Sequence, residues 1–138
     1  MATPGASVLL DPAAEAGQLA DLFNDLSQAI DDFRLSDLVP PLTTNEMSRL
    51  KDEAQAMEDR AHYFTARAIG ATLQSIQSDL ANIKAITAQA NQQLGVLKQV
   101  SKVISIATSA LSLGTAIAAG NPASIVAAAN ALAQTLVS

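Results

Sequence analysis

The one histidine of this 138-residue chain, His62, stands in "MEDRAHYF", with Glu58 four residues and Asp59 three residues before it. On a helix these side chains share a face, a spacing that carboxylate–histidine metal ligands use. The two-metal version needs that motif on two helices with further carboxylates. Here it occurs once, so it reads as an ordinary helix-surface cluster with Arg60 unless a homodimer supplies a second copy. There is no other histidine to act as a triad base, and the six glycines, at 5, 17, 70, 95, 114 and 120, build no phosphate loop. The acid pairs Asp31–Asp32, Asp52–Glu53 and Glu58–Asp59 are neighbours that diverge on a helix. The expectation is a non-enzymatic protein with no catalytic residues, no metal and no cofactor.

The elements that carry these residues are predicted to be helices. Apolar residues make up 49% of the chain, but aromatics only 3%, and much of the apolar content is alanine, the best helix former. A chain of this length is read as one all-α domain, residues 1–138. Its packing has to come from Leu, Ile and Val set among closely approaching small residues. The absence of cysteine excludes disulfides and cysteine-rich metal sites. "MATPGASVLLDP" lacks the basic n-region and long apolar run of a secretory signal, so export, if any, is expected by another route or after signal removal, and the compartment is left open.

An amphipathic helix is predicted over 12–34. Asp11 caps it, Pro12 suits its first position, and Leu19, Leu22, Phe23, Leu26, Ile30 and Phe33 form its apolar stripe. "LVPPL" ends it. Thr43 and Glu46 have the spacing of a capping box and open a long central helix over 44–94. Its first stripe is Met47, Leu50, Ala54, Met57, Ala61, Phe64 and Ala68. Its second is Ile69, Leu73, Ile76, Leu80, Ile83, Thr87, Ala90, Leu94 and Leu97. Both alternate four and three as in a coiled coil, with a one-position shift that predicts a kink near Gly70. Such a helix would span about 75 Å at ~1.5 Å per residue, so either it breaks at Gly70 or Gly95 and folds back, or the molecule is a rod. Glutamines, asparagines and serines dominate the outer face of its second half. They suit either packing against partners or a hydrated surface.

Residues 96–137 read as an apolar αα-hairpin, with no charge in the 36 residues after Lys102. Gly120 suits the left-handed position after a first arm over 103–119, Asn121 can cap the second arm, and Pro122 takes its first turn. Val103, Ile104, Ile106, Leu111, Leu113 and Ile117 supply the first arm's apolar bulk. Ile125, Val126, Leu132 and Leu136 supply the second's. Small residues recur every four positions at Ala110, Gly114 and Ala118, and at Ala123, Ala127 and Ala131, a pattern that lets helices approach closely in lipid. Lys98 and Lys102 stand at the mouth, where they could meet anionic head groups. Against a membrane span, Ser105, Thr108, Ser109, Ser112, Thr115, Ser124, Asn130, Gln134 and Thr135 dilute the hydrophobicity. A hairpin of this kind also suits the buried centre of a bundle or oligomer.

Net charge is −5, distributed as −6 over residues 1–42, −2 over 43–79 and +3 over 80–138. That balance argues against nucleic-acid binding, which needs a basic face. A long helix followed by an apolar hairpin with a "GNP" turn at Gly120–Pro122 resembles, in architecture, the α-helical pore-forming toxins, including the colicin pore domains and the haemolysin E type. The resemblance implies a hairpin hidden in the soluble form and later inserted into a bilayer. The leading expectation is therefore a membrane-interacting protein, a small toxin or toxin component, that partners a lipid bilayer. Alternatives are a homo-oligomeric or protein-interaction module and a carrier of an apolar ligand such as a lipid.

Overall fold

The computed structural model describes residues 11–38 and 41–138, which are helical with no strand among them. The signal-peptide reading of the N-terminus and Pro40 of the "PP" pair lie outside the described residues. The helices are α1 (Pro12–Arg34), α2 (Thr44–Tyr63), α3 (Ala66–Ser75), α4 (Leu80–Val96), α5 (Val100–Ala119) and α6 (Pro122–Val137).

Local chemistry sets most helix starts. Asp11 accepts hydrogen bonds from the amides of Ala13 and Ala14, and Thr43 and Glu46 close a reciprocal capping box. Asn121 accepts from the Ser124 amide at 3.2 Å, and Gly120 holds φ 83° at the end of α5. Only a residue without Cβ takes that angle without strain.

The central segment departs from the long helix read for 44–94. It breaks at Phe64–Thr65 and again between Ile76 and Asp79, whereas Gly70 and Gly95 both lie inside helices. At the first break Thr65 becomes a new N-cap, its hydroxyl accepting from the Ala68 amide at 3.2 Å. Phe64 turns inward and sets its ring edge-on against Phe23, with centroids 5.1 Å apart and planes at 89°. The phase shift between the two apolar stripes explains the break. Leu50, Ala54, Met57, Ala61 and Phe64 are buried, and so are Ile69, Leu73, Ile76, Leu80, Ile83, Thr87, Ala90 and Leu94. No straight helix turns both sets toward one core, so the segment divides into α2, the short α3 and α4.

The chain alternates direction. Ser27 donates to Ala54 O and Arg34 meets Met47, so α1 and α2 run antiparallel. Lys84 reaches Glu15 and Gln18 near the start of α1, and Asn91 and Leu94 line one cleft with Ala29 and Phe33 near its end, which sets α4 parallel to α1. Arg49 and Arg60 reach Thr108 and Thr115, which sets α5 parallel to α2, and α6 returns antiparallel beside α5. The six described helices share one core of buried side chains.

α5 comes closest to the first layer at Gly114, where a Cβ would lie 2.7 Å from Phe23 Cε2. The Phe23 ring is fully buried and held by Phe64, so it has little room to yield. Gly114→Ala is expected to cost about 1–3 kcal/mol through overpacking. Gly120→Ala is expected to cost about 1–2 kcal/mol through the left-handed backbone. Urea unfolding checks both.

Candidate functional site

The region singled out in the sequence, residues 96–137, becomes the helix pair α5–α6. Its first helix starts at Val100, three residues before the expected Val103, so Lys102 lies within it. Lys98 lies in the connection before it and is exposed. Inward, α5 buries Val103, Ile106, Ala110, Leu113, Gly114 and Ile117, and α6 buries Ile125, Leu132 and Leu136. Ile104, Leu111, Ala118, Gly120 and Val126 are half-buried, while Asn121, Pro122 and Ala127 are exposed.

The small-residue stripes do not meet each other. The one on α5 faces the core at Ala110 and Gly114, whereas Ala123, Ala127 and Ala131 of α6 all face solvent. The outer surface of the pair is a shallow groove lined by Thr108, Leu111, Ser112, Thr115, Ala116, Ala119, Ser124 and Ala128, with no charged side chain. α5 is long and apolar enough to cross a membrane, and 39% of that stretch is buried inside the bundle. The 16-residue α6 reaches only ~24 Å, short of a ~30 Å hydrocarbon layer.

The mouth of the pair is occupied differently from expectation. Lys102 Nζ donates to the main-chain oxygens of Thr135 and Ser138, each at 2.6 Å, and Gln93 Nε2 donates to Leu136 O at 3.1 Å. The lysine thus caps the C-terminal turn of α6, where a cation also meets the negative end of the helix dipole. Ser109, two turns further along α5, and Thr135 have hydroxyls 3.0 Å apart, which tie the arms together again.

The polar seam between α2 and α5 escaped the sequence reading. Thr108 donates to Glu53 Oε2 at 2.6 Å and accepts from Arg49 Nη2 at 3.2 Å, and Arg60 Nε donates to Thr115 at 3.4 Å. Glu53 is 8% exposed, and its Oε1 is buried without a hydrogen-bond partner. The Arg49 Nε lies 4.0 Å from that oxygen on a side chain 56% exposed, so water screens much of the attraction. Burial pushes the Glu53 carboxyl above its ordinary value, and the Thr108 hydrogen bond and Arg49 pull it back only in part. One signal was present in the sequence: Glu53 falls three residues after Leu50 and four before Met57, on the apolar stripe itself.

His62, Glu58 and Asp59 are exposed, and among the described residues no three His, Asp or Glu side chains gather as a metal site would require. Thr108→Val would leave both Glu53 oxygens without a donor. It is expected to cost about 1–3 kcal/mol at neutral pH, whereas Thr115→Val, at an exposed contact, should stay within about 0.5 kcal/mol. Denaturant midpoints of the two variants compare them directly. No protein-family model, curated protein or solved structure matches the chain.

Proposed function

We propose that this chain is a non-enzymatic membrane-interacting protein whose α5–α6 pair separates from the bundle and enters or lies on a lipid bilayer, as a small pore-forming toxin or toxin component would. The observation that carries the reading is the charge-free stretch after Lys102, which holds most of α5, the one described helix long and apolar enough to cross a membrane. In water, separation exposes the inner side chains of α5 and α6, at about 1.5–3 kcal/mol for each large one. Lipid returns that free energy for the apolar side chains, and the outer face of the pair adds hydroxyls, alanines and the amides of Asn130 and Gln134 but no ion after Lys102. The pair's own share of the penalty that holds it docked in water is thereby offset at a bilayer.

A second reading rests on the same uncharged groove between α5 and α6. Its small side chains allow another helix to approach closely, which suits a homo-oligomer or a protein partner. The two readings differ in whether lipid is needed.

Charges placed at Ser112 and Ala127 test them without touching the core, since both positions are exposed; Gly114 is unsuitable because it is buried against Phe23. Ser112→Asp and Ala127→Asp each add about 2.5–3.5 kcal/mol to insertion if the position reaches the bilayer centre. The unaltered protein is expected to float with liposomes and release their dye, and the double variant to stay in solution. No flotation at any pH from 5 to 8 sinks the membrane reading. A defined oligomer in light scattering that the same charges dissolve, with no lipid association, establishes the second.

A further inference from the structure

Glu53 is the one buried acid at the α2–α5 seam, and its surroundings are unusually one-sided. α5 presents it with hydroxyls alone, since that helix carries no charge after Lys102. α1 meets α2 beside it through Ser27, whose hydroxyl is donated to Ala54 O at 2.7 Å. Arg34 and Asp31 of α1 pair with each other at 3.0 Å, and Arg60 of α2 turns to Thr115. Arg49 is left as the charged group acting on Glu53, through a largely solvated side chain. Lys51, Asp52, Glu58 and Asp59 of the same helix are exposed.

One carboxylate oxygen thus has a hydroxyl donor and the other has none, in a place that exists only while α5 is docked. We propose that Glu53 is a proton-operated latch on the C-terminal pair: the seam closes when the carboxyl is neutral and eases when it becomes a carboxylate. The neutral group keeps its hydrogen bond with Thr108 and places no ion between the helices. Loss of the proton to solvent leaves a buried negative oxygen without a donor. Water supplies donors to both oxygens once α5 moves away.

The direction follows from linkage. The docked state holds this proton more tightly than the released state. Docking is therefore favoured at low pH, and the advantage is lost as pH rises from the ordinary carboxyl range through the raised docked value. Acid alone tightens this seam, opposite in sense to an acid trigger. The latch rests on the proposed release of α5–α6, and it gives that release a regulator independent of lipid.

The absence of native cysteine allows a clean test. Val103→Cys places a unique thiol on the buried face of α5, and Ala16→Cys places one on α1. Ala110→Cys serves as a second α5 reporter. Labelling rates in lipid-free buffer, divided by the rate of an unstructured peptide thiol at the same pH, give opening constants between pH 5 and 8. The latch predicts greater opening at 103 than at 16, rising with pH by up to about tenfold per unit within the titration window. With Glu53→Gln the pH dependence disappears, and opening at pH 8 falls severalfold. Equal opening at both sites, an unchanged pH profile in the Gln variant, or greater opening in acid overturns the proposal. Liposome flotation is scored separately, so a working latch without lipid association would discredit the membrane reading alone.

Discussion

The inner face of α5 has to be covered, and the bundle is arranged around that requirement. Val103, Ile106, Ala107, Ala110, Leu113 and Ile117 are fully excluded from water, and the helix sits deep enough that only glycine fits opposite the Phe23 ring. Phe64 steadies that ring from the side by leaving the helical path of α2. The break at Phe64–Thr65, the short α3 and the return of α4 all serve one end. They bring two phase-shifted apolar stripes onto the core that receives α5.

Apolar burial holds the pair without direction, and the polar contacts supply register. Thr108 with Glu53 and Arg49, and Thr115 with Arg60, set α5 lengthwise against α2. Lys102 and Gln93 hold the last turn of α6. The seam contains an ionisable group whose charge is disfavoured where it sits, so the tightest contact in register is also the one least suited to permanence.

What was legible in the sequence was whatever depends on neighbours within three or four residues. Asp11, the Thr43–Glu46 box, and the Gly120–Asn121–Pro122 turn act on amides and angles beside them, and their residue types state their roles. The end of α2 depends instead on Phe64 meeting Phe23, some forty residues away, and the preference for helix around Phe64 points the other way. Gly70 and Gly95 looked like breakers, but a glycine inside a packed helix costs only about 1 kcal/mol relative to alanine. The seam was hidden for a similar reason. Glu53 looks like half of an acid pair until Thr108 is placed beside it, and the alanine stripe on α6 faces solvent although its spacing suggested a helix contact.

The proposed membrane role requires α5–α6 to leave α2 as a unit, and a reversible crosslink tests this most directly. The contacts Glu53–Thr108 and Arg60–Thr115 have the same offset along the two helices, and Ala56 and Leu111 fall between them at that offset. In Ala56→Cys/Leu111→Cys, the oxidised protein is predicted to keep its helical content yet fail to bind liposomes, with binding restored by reductant. Equal liposome binding by the oxidised and reduced forms would contradict the account.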